Sequence, residues 1–180
     1  FASYIPTLGV GPLLPGNLTA SAGGFAGYDG SAIPATDQVN KNYRATASAS
    51  AVVPTGGVII NSLNVQNTAA TTPIAITFGA TGDVLNLKSG GLIVQNVAAS
   101  NAANTAAIGT SGGNLGKLTA GGDATNTGTQ DLYLYYYNVT AANGLQVFSQ
   151  ITDNTTGATA ADKVVRFVPW SAAKIGRAHV

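Results

Sequence analysis

The chain has 180 residues, only 8% of them charged, and a formal net charge of +1. Its Lys and Arg residues are scattered singly, which excludes the electrostatic footprint of a nucleic-acid binder. Cysteine, methionine and glutamate are absent, so disulfide stapling and thiol chemistry are excluded, and no apolar run approaches the about 20 residues of a membrane-spanning helix.

Residues 1–57 form the least regular part and read as an N-terminal segment or cap with short strands. "IPTLGVGPLLPGN" carries Pro6, Pro12 and Pro15, which cut it into short extended pieces and turns. "GGFAGYDG" sets Phe25 and Tyr28 between glycines, and "YRATASASAVV" reads as one strand ended by "PTGG".

From Val58 the alternation sharpens. "VIINSLNVQN" places Leu63 and Val65 on one face and Ser62, Asn64 and Gln66 on the other. "PIAITFG" groups Ile74, Ile76 and Phe78; "DVLNLKSGG" aligns Leu85 and Leu87, with "LIVQN" directly behind it. "GNLGKLTAGG" is a weaker piece around Leu118. "DLYLYYYN" sets Leu132, Leu134 and Tyr136 against Tyr133, Tyr135 and Tyr137, and "LQVFSQITDN" and "KVVRFVPW" close the series.

Every run is short and bounded by Gly, Asn, Asp or Thr. Asn-Gly, the strongest hairpin signal, occurs once, at Asn143-Gly144. A rhythm of strand, Gly-rich corner and strand, with Asn at the corners, predicts an all-β chain whose strands stack in parallel. Residues 58–173 would then be the rungs of a β-solenoid in which Asn and Thr form side-chain ladders. A β-sandwich is the alternative, and it would join the same strands by hairpins and Greek-key crossings.

The order "INSLNVQNTA", "ITFGATGDVLNLKSGGLIV", "GGNLGKLTAGG", "DLYLYYYN" and "LQVFSQITDN" resembles the autotransporter-associated β-strand repeat proteins. The opening "FASYIPTLGVGPL" is similar to the segment that precedes such repeats. After "DN" the chain departs from the family pattern, reading "TTGATAADKVVRFVPWSAAK". The resemblance implies a right-handed parallel β-helix serving as a passenger or stalk, outside the cell or on the surface of a Gram-negative-type bacterium. Further rungs of the parent chain would be its neighbours, and no catalytic residues are carried over.

The terminal "IGRAHV" equals the translation of a widely used sequencing adapter in one frame, and the adapter's preceding bases make Lys174 suspect too. Residues 174–180 are therefore expected to be non-native, and a chain that starts at Phe1 without a signal peptide is expected to be a fragment. Without Arg177 the apparent positive charge disappears, and without His179 no histidine remains.

The residue types left do not build Ser-His-Asp, Cys-His or common zinc sites, so neither an enzyme nor a cofactor is expected. The aspartates are dispersed, mostly at turns such as "YDGS", "TGDV", "GGDA" and "TDNT", where Asp bonds its own backbone. "GGDATNTG" makes Asp123 the first suspect for a structural cation, although the second glycine and the repetition of calcium-binding turns are missing. Asn17-Leu18-Thr19, Asn138-Val139-Thr140 and Asn154-Thr155-Thr156 fit the glycosylation pattern.

Tyr133, Tyr135 and Tyr137 are the distinctive functional candidates. They share one strand face and would either cover neighbouring rungs or present a stacking and adhesion surface to glycans or other cell-surface components. The reading is thus a non-catalytic structural or adhesive segment. The alternatives are a carbohydrate-binding or carbohydrate-active β-helix of the tailspike kind, or a subunit of an extracellular filament or coat.

Overall fold

A computed structural model describes residues 2–5, 9–12, 27–67, 74–96, 106–124, 128–138, 144–156, 164–171 and 175–178. They form fourteen strands and one 3-10 turn, with no α-helix among the described residues. In chain order the strands are β1 (Ala2–Ile5), β2 (Gly9–Pro12), β3 (Gln38–Ala45), β4 (Val52–Val53), β5 (Val58–Asn67), β6 (Ala75–Phe78) and β7 (Val84–Asn96). Then follow β8 (Ala106–Ile108), β9 (Lys117–Ala120), β10 (Gln130–Asn138), β11 (Leu145–Val147), β12 (Gln150–Ile151), β13 (Val165–Ser171) and β14 (Ile175–Ala178).

β1 and β2 pair antiparallel by themselves. The two large sheets are parallel throughout. A five-stranded sheet runs β14-β11-β8-β6-β4, and a seven-stranded one runs β12-β9-β7-β10-β13 with β5 and β3 continuing from β7. Each strand thus pairs with one from an earlier or later pass of the chain, a pattern that two-residue hairpins do not produce. The ladders begin at Gln38 and Val52, ahead of the Val58 boundary drawn from the sequence.

The alternation expected from sequence is what makes the core. Leu63, Leu92 and Leu134 fall in one register line, and Val65, Val94 and Tyr136 in the next. Ile76, Ile108 and Val147 line up on the second sheet. All of these side chains are buried in a single cluster. Each Leu or Ile taken fully out of water stabilises the fold by about 1.5–3 kcal/mol.

Polar side chains lock the corners. The Asp83 carboxylate accepts the Gly56 N–H at 2.8 Å from the preceding turn of chain and also the Ala80 N–H of its own turn. Asn114 donates to the Gly79 carbonyl at 2.8 Å, and Ser149 to the Leu115 carbonyl at 2.5 Å. Asn67, Asn96 and Asn138 occupy equivalent register positions at the ends of β5, β7 and β10.

Three local expectations change. "YRATASASAVV" is not one strand: β3 ends at Ala45, a 3-10 turn covers Ser48–Ser50, and β4 begins at Val52. Its Ala and Ser residues carry no apolar period to specify where a strand ends. "LQVFSQITDN" divides into β11 and β12. Conversely, "DVLNLKSGG" and "LIVQN" fuse into the 13-residue β7, which bends at Gly90. There φ is +71°, and a Cβ would stand 1.7 Å from the Asp131 carbonyl oxygen, so only glycine fits. Beyond the bend β7 changes partner, from β9 to β10. The backbone of β14, inside the stretch read as adapter translation, pairs with β11.

Candidate functional site

The three tyrosines singled out in the sequence lie on the outer face of β10, while Leu132, Leu134 and Tyr136 point into the core. Tyr133 is 50% exposed and Tyr137 37%. Tyr135 is half-buried because Trp170, directly opposite it on β13, lies flat against its ring, with centroids 4.5 Å apart and planes 7° from parallel. Trp170 itself is 55% exposed. On the other side β7 places Gly91 opposite Tyr133 and Ile93 opposite Tyr135. The missing side chain at Gly91 leaves a shallow apolar depression of about 370 Å³ beside the Tyr133 and Tyr135 rings.

One end of this face is polar. The Arg166 guanidinium grips the Asp131 carboxylate through both oxygens, Nε to Oδ1 at 2.7 Å and Nη2 to Oδ2 at 2.9 Å. The Tyr133 hydroxyl donates to Oδ2 at 2.7 Å. The bond from Arg166, and after it that from Tyr133, holds the Asp131 carboxyl below the ordinary aspartate range. The same carboxylate, first by hydrogen bonding and then by charge, pushes the Tyr133 hydroxyl up. The Tyr133 ring is thus tethered while its face stays open.

At the other end of the sheet the outer face is covered. Buried Tyr28 accepts a hydrogen bond from Asn64 Nδ2 of β5 at 2.8 Å. The aromatic face is therefore confined to β7, β10 and β13. Stacked, exposed rings with a tethered hydroxyl can pack on the flat face of a sugar ring or another apolar plane.

Sequence reasoning missed Trp170. The signal was present, since "VRFVPW" carries the same alternation as "DLYLYYYN" and turns Arg166, Val168 and Trp170 outward.

Compared with protein-family models, curated proteins and solved structures, the chain matches none.

The other sequence candidates sort as follows. Asp29 pairs with Lys41 at 3.0 Å and accepts the Asn42 N–H at 2.8 Å. Asp37 accepts the Ile59 N–H at 2.8 Å and Asp153 the Val165 N–H at 2.9 Å. Asp123 is partly buried, and no cluster of three or more His, Cys, Asp or Glu occurs among the described residues. Asn154 is fully buried and donates to the Ala120 and Gly122 carbonyls at 2.8 and 3.0 Å, so in the folded chain it is not a glycan acceptor. Phe25, Asn17, Asn143, Asp162, His179 and the side chain of Asn138 lie outside the described residues. Among the described residues no helix is long and apolar enough to cross a membrane.

A second concavity was not visible in the sequence. It is a cleft of about 540 Å³ over β5, β7, β9 and β12, of mixed polar and apolar lining, with Asp37 on one side and the segment from Thr152 to Thr156 on the other.

Proposed function

We propose that the chain is a non-catalytic segment of a right-handed parallel β-solenoid, displayed outside the cell or on the surface of a Gram-negative-type bacterium as an autotransporter-like passenger or stalk. The observation that carries this reading is the recurrence of parallel pairing over successive passes of the chain, β4-β6-β8-β11-β14 on one side and β5-β7 with β9-β12 and β10-β13 on the others. Parallel ladders with no α-helix among the described residues favour a chain that coils, and coiling would close one core between the sheets. Parallel pairing also counts against the β-sandwich alternative. Side chains that bind the corner of the preceding turn, as Asp83 and Asn114 do, support the same reading.

Adhesion would be the work of the exposed face formed by Tyr133, Tyr135, Tyr137 and Trp170. Exposed aromatic area of this kind is maintained on protein surfaces for contact with a partner. The test is retention of the purified chain on immobilised cell-surface glycans. Wild-type protein is expected to be retained, and a Tyr133→Ala/Tyr137→Ala variant with an unchanged far-UV circular dichroism spectrum is expected to be retained markedly less. Equal retention of both proteins, or a spectrum dominated by helix, would sink the proposal.

A further inference from the structure

The cleft over β5, β7, β9 and β12 is lined by none of the tyrosines, and its construction points to a ligand of its own. Its floor is made of outward side chains held in register: Ile59 opposite Asn86, Asn86 opposite Thr119, and Lys117 opposite both Val84 and Gln150. Part of that floor is locked. Asn86 is buried and bonds both backbone groups of Gly122, donating to its carbonyl at 2.8 Å and accepting its N–H at 2.9 Å. Buried Asn154 ties the Ala120 and Gly122 carbonyls, and Thr119 donates to the Thr152 carbonyl at 2.9 Å. Gly57, at φ +81°, lets the opposite wall sit directly against β7, where a Cβ would meet the Val84 carbonyl oxygen at 2.6 Å. Shape is therefore set before any ligand arrives.

Several other polar groups of the lining are uncommitted. The side chains of Lys117, Gln150, Thr152 and Thr155 make no hydrogen bond among the described residues. Asp37 and Asp153 each commit Oδ1 to a backbone N–H and leave Oδ2 without a hydrogen bond among the described residues. The cleft thus offers an ammonium, an amide, two hydroxyls and two carboxylate oxygens in a volume within the ~300–1,000 Å³ typical of small-molecule sites.

The chemistry of the lining selects the ligand class. Two carboxylates against one ammonium disfavour a polyanion. An apolar ligand would desolvate Lys117 and the hydroxyls without replacing their bonds to water. A metal ion would find two dispersed carboxylates and no third ligand cluster among the described residues. Sugar hydroxyls both donate and accept, and so satisfy every group present. We propose that this cleft binds a neutral oligosaccharide, with Lys117, Gln150 and Asp153 making direct hydrogen bonds to its hydroxyls. This site is separate from the aromatic face and does not depend on the adhesive reading.

The test is an array carrying neutral gluco-, manno-, galacto- and N-acetylglucosamine oligosaccharides beside polygalacturonate, followed by calorimetric titration of the best neutral probe. Binding of at least one neutral probe is expected, with none to polygalacturonate. Lys117→Met is expected to weaken that binding about tenfold or more, as loss of a charge-assisted bond does. Exposed Gln150→Ala, which carries little risk to folding, should weaken it severalfold, and Tyr133→Ala should leave it unchanged. No neutral binding at millimolar probe, preference for polygalacturonate, or a loss that follows Tyr133→Ala instead of Lys117→Met would overturn the proposal. The last result would leave the aromatic-face reading standing. Cleft binding combined with failed surface retention would do the reverse.

Discussion

Tyr135 and Trp170 lie face to face across β10 and β13, 4.5 Å between centroids and 7° from parallel. Parallel register produces this arrangement: residues directly opposite project the same way, so two flat rings on adjacent strands stack edge-aligned. The pair sits outside the core, on the strand that carries Arg166 to Asp131 two residues before Val168. Stack and ion pair together pin β13 to β10 from the solvent side, while Phe167 packs partly buried from the inside.

Trp170 is the chain's one tryptophan, so its fluorescence reports on this stack alone. Tyr135→Ala is expected to shift the emission to longer wavelength and to lower stability by about 0.5–1.5 kcal/mol, the size of an aromatic pair term. Urea unfolding with an unchanged slope and a lower midpoint would verify it. An unaltered emission spectrum would contradict the stack.

Leu92 stands between Leu63 and Leu134 in the centre of the seven-stranded sheet and is 1% exposed. Leu92→Ala opens a cavity with packed neighbours on both sides and is expected to cost about 2–5 kcal/mol. Tyr133→Ala, on the same sheet but half exposed, should cost far less, within about 0.5 kcal/mol. Denaturant midpoints of the two variants compare them directly, and a reversed order would mean that the inward and outward faces are misassigned.

Much of the core was legible because period-two alternation is local. Leu63 and Val65, Ile74 and Ile76, Leu85 and Leu87, and Leu132, Leu134 and Tyr136 were all aligned from sequence and are all buried. What remained hidden depends on chain passes far apart in sequence. Asn86 belongs to the outward set of β7, yet it is 2% exposed because Gly122, Asn154 and Thr156 close over it from later passes. Gly90 reads as a corner, but a positive φ also serves a bend inside a strand that changes partner. Trp170 became part of the aromatic face only through the β10–β13 register, which no window of the sequence contains.

Asn86 provides the sharpest test of that closure. Asn86→Ala strands the buried N–H of Gly122 and leaves its carbonyl to Asn154 alone, with an expected loss of about 1–3 kcal/mol. Asn86→Asp is nearly isosteric but should not rescue it, since a carboxylate accepts the Gly122 N–H yet cannot donate to the Gly122 carbonyl. Thermal unfolding of the two variants is the measurement. Wild-type stability in Asn86→Asp would remove the donor role from the account.

The Asp131 cluster should titrate in a direction that its partners dictate. Its carboxyl is held below the ordinary range mainly by Arg166 and secondarily by Tyr133. A folded-state value below the unfolded one means that the charged form is favoured by folding. The contribution is therefore complete above the ordinary aspartate range and is lost as pH falls through it and below. All three groups lie at the surface, so the effect is small and weakens with added salt. Tyr133 behaves oppositely: its value is raised, so its share persists up to the ordinary tyrosine range and disappears as pH rises beyond it. NMR titration of the Asp131 side-chain carbonyl should show the value return toward ordinary in Arg166→Ala and move less in Tyr133→Phe. The reverse ranking would reassign the dominant partner.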